Sequence, residues 1–437
     1  MAHAAPGEPM TAEEATRDLT SRIGSGNLGL MALLAIVALA GVAALVTQIS
    51  AGPLPLSKWG YPAAALAFLA STAQATPIVA FATRLAKGYW ALPLRRAAEI
   101  GAVSGLVTTP LLIVLLLQLP DFRGRNSIWF DWPVGPVAAD SVMMILLTFT
   151  GLALLYLSAR PDRAAAARAP RFGWLGVAGQ WDVLTAGLVI LGAFYLMVFV
   201  FMHVFIVSDL AISLVPGWRS AIIPPYHAVS GLQGGLATAV LFAGALRRFG
   251  GLERYIGLDV FWGASKLLLG LSLLFFYFTW SELLTNWYGR TVDEQFLLEL
   301  HMFGPYMALF IASFCCNFVF PLALLIWNPI RVSIRGPIFV AAIIFVGNLI
   351  DRIRIYVSAF SVAGPAGVHL EHAPPTQYPG GLDLVIFVGA IAAVGFLYLL
   401  ALRLLPPISL WEYKTGLLLK VERPYLKTEV AIVAKPR

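Results

Sequence analysis

GLMALLAIVALAGVAALVTQIS, residues 29–50, carries no charged side chain over 22 positions. At 1.5 Å per residue a helix of that length reaches about 33 Å, enough to cross a hydrocarbon layer about 30 Å thick. Runs of this kind recur along the whole chain. Ten can be marked: 29–50, 61–83, 98–119, 137–158, 181–207, 226–246, 259–282, 302–326, 337–360 and 383–405. Short loops with Pro, Gly and charge separate them. The expected fold is an all-α integral membrane protein of about ten transmembrane helices.

Composition agrees. Of 437 residues, 59% are hydrophobic and 12% charged, with a mean hydropathy of +0.80. A soluble domain carries about twice that share of charge. No stretch reads as an aqueous catalytic domain. The chain divides into a cytoplasmic N-terminal segment (1–28), a membrane domain (29–405) and a cytoplasmic C-terminal tail (406–437). The polar N-terminus has no apolar core behind a basic start, so it does not read as a signal peptide.

The basic residues fix an expected orientation. Taking the N-terminus as inside, alternate loops hold 22 Lys and Arg on the inner face and 5 on the outer: Lys58, Arg123, Arg125, Arg219 and Arg290. This is the positive-inside bias, and it places both termini in the cytoplasm. The net charge of +7 is therefore topology, and no nucleic-acid partner is expected. Arg95, Arg96 and Glu99 before the third helix are echoed by Arg247, Arg248 and Glu253 before the seventh. The echo fits two four-helix bundles, helices 2–5 (about 61–207) and 6–9 (about 226–360), with helices 1 and 10 flanking them.

Charges inside a span cost about 2.5–3.5 kcal/mol each on insertion scales, so they face the protein interior and often mark a pathway. Toward the outer face lie Asp140, His203, Asp209, Glu282, His301 and the ninth-helix group Asn348, Asp351, Arg352, Arg354 and Tyr356. Toward the inner face lie Glu99, Asp182, Asp259 and Lys266. A bland reading stands beside each. Asp209 and His301 fit wetted interfacial residues, Asp351 with the two arginines fits a structural ion-pair cluster, and Lys266 fits a snorkelling or paired lysine. Cys315 and Cys316 are adjacent in an apolar run and read as packing residues, because a metal or iron–sulfur site needs about four spaced ligands.

A carboxylate and an imidazole near one membrane face can hydrogen-bond the two oxygens of a quinone headgroup and take its protons, since His titrates near neutral pH. Haem fits less well, because Pro224 and Pro225 put His227 at a helix start. No phosphate-binding loop, nucleophile elbow or zinc-protease motif occurs.

Several stretches then resemble one family. Residues 203–211 (HVFIVSDLA), 213–220 (SLVPGWRS) and 223–226 (IPPY) are similar to the fifth-helix end and amphipathic loop of the NrfD/polysulfide-reductase membrane subunits. They are most similar to the version in alternative complex III, a quinol-oxidising respiratory complex. Residues 251–256 (GLERYI), Glu282 ahead of 287–289 (WYG), 302–306 (MFGPY), Asn348 through Arg352, and 405–412 (LPPISLWE) extend the resemblance over nearly the whole chain. Three positions depart from the family pattern. Arg219 stands for a His, Asp351 for a Glu, and Gln118 for a third-helix His implicated in quinone binding. Gln118 can hydrogen-bond a carbonyl but cannot accept a proton.

The resemblance implies a quinone-binding subunit with quinol as substrate and no bound metal or haem. It acts only within a larger oxidoreductase, oxidises quinol near the periplasmic face and couples to proton translocation. The implied partners are a periplasmic iron–sulfur subunit, c-type cytochrome subunits and a second NrfD-like membrane subunit, in a bacterial inner membrane. The residues expected at the quinone are Asp140, His203, Gln118, Asp209 and Tyr226. Those expected on proton paths are Glu282, His301, Asp351, Arg352 and Arg354 outside, and Glu99, Asp182, Asp259 and Lys266 inside. Competing readings are a quinone-reducing anchor of a polysulfide-reductase-like molybdoenzyme, a purely structural anchor, and a secondary transporter with broken helices around a midplane cavity.

Overall fold

The computed structural model describes residues 11–24, 27–119, 135–167, 173–362, 372–425 and 428–433. Arg123, Arg125, Arg168, Arg171, Lys427, Lys435 and Arg437, counted among the loop charges, lie outside the described residues. Among the described residues, nine helical segments are long and apolar enough to cross a membrane. The tenth is the 28-residue helix α15 (Arg335–Val362), whose three central charges break the apolar run but are buried. The protein is thus an all-α membrane fold of about ten spans.

The first span is α2 (Leu28–Ser50), preceded by a short amphipathic helix α1 (Ala12–Ser21). Thr11 caps α1 by accepting from the Glu14 N–H, while the Glu14 side chain accepts from the Thr11 N–H. Such a reciprocal cap satisfies two N–H groups that a helix start otherwise leaves unpaired. The second span is broken into α3 (Gly60–Ser71) and α4 (Thr76–Leu85). The third is α5 (Leu92–Ile100) and α6 (Gly105–Leu117), joined by one tight turn. Spans four to seven are continuous: α7 (Gly135–Ala167), α8 (Ala178–Leu210), α9 (Ile223–Phe249) and α10 (Leu258–Gly289).

A short helix α11 (Val292–Leu298) and a wide π turn (Glu299–Phe303) lead into the eighth span. That span is α12 (Met307–Phe314), a second π turn (Cys315–Val319) and α13 (Phe320–Leu325). After α14 (Asn328–Arg331) come α15 and the last span, α16 (Gly381–Leu404). The tail holds α17 (Leu410–Leu419) and a hairpin of β1 (Lys420–Tyr425) and β2 (Thr428–Val433).

Spans two to five pack on one another around Leu112, Leu147, Leu188 and Phe199, and spans six to nine around Val240, Leu268, Leu325 and Ile344. The two sets meet where α3 lies against α15 and where α4 and α8 lie against α9. Span one packs on span ten outside both sets. Gly41 and Gly389 make that approach possible: a Cβ on Gly41 would stand 2.6 Å from the Gly389 Cα. The opposite face of α2, with Leu33, Ile36, Leu39 and Val42, is exposed, as lipid contact requires. α1 packs on α17, so the ends of the described chain share one end of the fold, here the termini end.

Candidate functional site: two buried charge networks

The second span is the only one of the nine apolar segments, among the described residues, whose whole core window is buried. Its break at 72–75 exposes peptide groups at mid-depth, where water cannot satisfy them. Side chains do so instead. The Tyr195 hydroxyl donates to the Gln74 carbonyl, and Thr76 Oγ1 donates to the Ala98 carbonyl at 2.6 Å. Thr76 Oγ1 also donates to the Ala73 carbonyl of the break at 2.8 Å, and Thr108 holds the Gln74 side-chain oxygen at 2.7 Å. Pro77 in the first turn of α4 has no N–H to lose and suits a restart there.

Beside this break begins the first network, in the half away from the termini. Asp351 is fully buried on α15. One oxygen accepts from the Tyr226 hydroxyl at 2.8 Å and from Arg354 at 2.9 Å; the other accepts from Arg352 at 3.2 Å. Residues 351 and 354 meet because they are one turn apart. Arg352, on another side of the helix, donates to Ser71 Oγ at 3.0 Å, Ser230 Oγ at 2.6 Å and the His227 carbonyl at 3.2 Å. Ser71 Oγ lies 3.4 Å from His203 Nε2, and His203 Nδ1 lies 3.0 Å from the Phe199 carbonyl. A carbonyl only accepts, so Nδ1 carries the proton. In the neutral ring Nε2 then accepts, and the Ser71 hydroxyl donates to it while accepting from Arg352. The result is one directed line of hydrogen bonds, Arg352 to Ser71 to His203.

His227 extends the line. Its ring lies 5.0 Å from that of His203, and its Nε2 is 2.9 Å from the Tyr356 hydroxyl. From sequence, His227 is weighed only as a haem ligand and is not placed at the quinone or on a proton path. Pro224 and Pro225 do open its helix, but α9 starts at Ile223, which carries the ring inward past the first turn.

A small cavity of about 30 Å³ adjoins the network, lined by Tyr226, Glu282, Asn286, His301, Arg354 and Trp218 among others. That is space for one or two waters, not for a quinone ring. Glu282 accepts from Ser220 at 2.7 Å and Asn286 at 3.1 Å. His301, in the π turn, meets Ser358 at 3.1 Å and the Trp218 ring at 4.7 Å.

The structure thus joins Tyr226, His203, Asp351, Arg352 and Arg354 directly, with Glu282 and His301 on the adjoining cavity. His203 sits deeper than its position near the end of segment 181–207 implies, because α8 continues to Leu210 and His203 is level with the break in span two. The hydrogen bonds of His203 and Tyr226 do not run to Asp140 or Gln118. Asp140 and Asp209 are fully buried near the far ends of α7 and α8, and Gln118 is half-buried at the end of α6.

The second network lies at the termini end. Arg84 bridges Glu99 at 2.7 Å and Glu412 at 3.1 Å; Arg95 also binds Glu412, at 2.8 Å. Arg96 joins Glu99 at 3.1 Å and Asp162 at 2.6 Å. Three cations thus face three carboxylates, all largely buried, and Glu412 is delivered by the tail helix α17. Burial alone would raise the Glu412 carboxyl, but Arg84 and Arg95 outweigh it and hold it below its ordinary 4.5. Glu99 is the one inner-face candidate in this network. Asp182, Asp259 and Lys266 are exposed, and the Lys266 ammonium lies 3.6 Å from the Trp262 ring centre.

Cys315 and Cys316 are free, half-buried thiols in the π turn of span eight. Among the described residues, no group of three His, Cys, Asp or Glu is placed to hold a metal ion. Compared with known proteins, the chain matches no family model and no curated sequence.

Proposed function

We propose that this chain is the quinone-linked membrane subunit of a multi-subunit respiratory oxidoreductase, and that its buried far-half network moves protons released by quinol. In this reading the protein spans a bacterial inner membrane with both termini in the cytoplasm, so the far half faces the periplasm. Oxidation of a quinol gives the quinone, two protons and two electrons. The electrons leave to a periplasmic iron–sulfur subunit and then to c-type cytochromes; a second NrfD-like subunit sits alongside. The protons need acceptors in a low-dielectric interior.

The observation that carries this reading is the continuous buried line from the Glu282–His301 cavity through Arg354, Asp351 and Arg352 to Ser71 and His203, in which the arginines stay protonated and position the groups while Asp351 and His203 are those that can take and release a proton. Such a line costs stability to build, which favours a functional role. The quinone headgroup is assigned to Asp140, Gln118 and Asp209 at the far helix ends, with His203 receiving protons and Tyr226 able to pass one on to Asp351 through its hydrogen bond. Gln118 offers only hydrogen bonds, so Asp140 and His203 carry the proton acceptance.

The test is to purify the tagged full-length chain from its native membrane with whatever co-purifies. Iron–sulfur and cytochrome subunits are expected, together with quinol-dependent cytochrome reduction. His203→Gln should lower that turnover by at least tenfold with the assembly intact. A chain that purifies alone, or unchanged turnover in both His203→Gln and Asp140→Asn, would refute the proposal.

A second reading, a secondary transporter, draws on one specific observation: the mid-depth break in span two, since discontinuous helices mark many transporter sites. Purification without partners, with substrate counterflow in vesicles, would favour it.

A further inference from the structure

Beside the second network, which it borders at Asp162, the termini end carries an open groove of about 410 Å³ between the end of α7, the start of α8 and the first half of α17. Asp162, Trp174, Leu175, Trp181, Trp411 and Lys414 line it. Three indoles form its wall. Trp174 meets Trp181 edge-on at 4.8 Å, and Trp181 meets Trp411 at 5.8 Å. The wall is anchored: the Trp411 indole N–H donates to the Ser158 carbonyl at 3.1 Å, and its backbone N–H donates to Asp162 at 3.1 Å.

The charges around the groove do not cancel. Asp162 is already met by Arg96 at 2.6 Å. Lys414 is half-buried and forms no ion pair among the described residues. Arg160 lies beside the groove rather than in its lining: its guanidinium is 5.7 Å from the Trp174 ring centre, and among the described residues it forms no ion pair and its buried Nε has no acceptor. Two cations are thus left beside one rigid aromatic wall. Next to them the chain turns apolar and outward: Leu175 is 67% exposed, Val177 55% and Val183 72%. Largely exposed aliphatic side chains at the start of a membrane helix lie where acyl chains run, and tryptophans concentrate at that same level.

We propose that this groove binds an anionic phospholipid. The phosphate sits between Lys414 and Arg160, the glycerol backbone lies against the indoles, and the acyl chains cover Leu175, Val177 and Val183. The two cations attract a net negative headgroup, whereas a zwitterionic lipid brings an ammonium that they repel. A free phosphate would leave the apolar side uncovered. The proposal is independent of the quinone reading, because no residue of the far-half network takes part.

The experiment uses the full-length chain, delipidated in detergent and titrated with dioleoyl phosphatidylglycerol or dioleoyl phosphatidylcholine, with bound lipid counted by native mass spectrometry. Phosphatidylglycerol should be retained at least fivefold better. Lys414→Gln with Arg160→Gln should abolish the preference, and Lys414→Arg should keep it. Neither glutamine removes an ion pair among the described residues, so the lipid-free melting temperature should stay unchanged. If the double variant does not fold, Lys414→Gln alone should still reduce the preference at least twofold. Glycerol phosphate at millimolar concentration should not compete. Equal retention of the two lipids, a preference that survives loss of both cations, or full competition by glycerol phosphate would each overturn the assignment.

Discussion

Arg352 on the ninth span reaches Ser71 on the second, Nε to Oγ at 3.0 Å, so one guanidinium ties the two packed helix sets together at mid-depth. It also holds Asp351, Ser230 and the His227 carbonyl. Arg352→Gln strips that fork and leaves several buried acceptors short. Breaking a buried charge network this way typically costs about 3–5 kcal/mol. Ser71→Ala removes one hydrogen bond on each side and should cost about 1–2 kcal/mol. Thermal unfolding in detergent should rank the two in that order; equal midpoints would mean that Arg352 is not a brace.

Tyr226→Phe tests the other end of the same carboxylate. Asp351 keeps Arg352 and Arg354, so the fold should lose only about 1 kcal/mol. If Tyr226 passes protons, turnover of the assembled complex should fall by at least tenfold all the same. A loss of turnover no larger than the loss of folded protein would confine Tyr226 to a structural role.

Acid should loosen the tail. Glu412 is held below its ordinary 4.5, so its ion pairs stabilise the fold above that pH and fade as pH drops through the lower folded value. The melting temperature of the full chain should therefore decline below about pH 4.5. Glu412→Gln should be less stable at pH 7 by about 3 kcal/mol and show a flatter acid limb. Parallel acid limbs in the two proteins would disprove this account of Glu412.

Gly234 on α9 faces the broken span. A Cβ there would stand 2.6 Å from the Ser71 carbonyl oxygen and 2.9 Å from the Asn348 amide nitrogen. Neither the backbone nor the buried amide has room to yield. Gly234→Val should destabilise by about 3 kcal/mol, at the upper end of overpacking costs. Gly270, whose Cβ would meet nothing within 4 Å, provides the control: Gly270→Ala should be neutral or slightly stabilising.

Lys266→Met should leave both stability and turnover within error. Its ammonium rests on the exposed Trp262 ring, and such a surface contact is worth about 0.5–1 kcal/mol. A tenfold loss of turnover in this variant would return Lys266 to the proton path.

The spans were legible because apolar runs of membrane length leave little alternative, and the ninth was found despite its charges. Depth was legible only in part. Counting from loop charges put His203 near a helix end, but α8 runs further than its apolar segment, and the residue lies level with Ser71. Asp182, Asp259 and Lys266 share a depth with Glu99 yet point outward, because depth along a helix says nothing about which face a side chain occupies. The pairing of Glu412 with Arg84 and Arg95 joins residues more than 300 positions apart, and no local pattern announces it. The break after Ser71 was also hidden: residues 72–75 contain neither Gly nor Pro, and the later Pro77 suits a helix start as well as an uninterrupted turn nearby.

The enclosure of the whole core of the second span bears on how the chain enters the bilayer. A ribosome delivers α3 and α4 before any of spans three to nine exist, so the segment first meets lipid with Gln74, Thr76 and its unclosed peptide groups uncovered. Its own hydropathy is well below that of α2, and the partners that relieve it, Tyr195, Thr108 and Arg352, arrive up to about 280 residues later. Biogenesis must therefore hold this segment beside the insertion machinery until the later helices close around it.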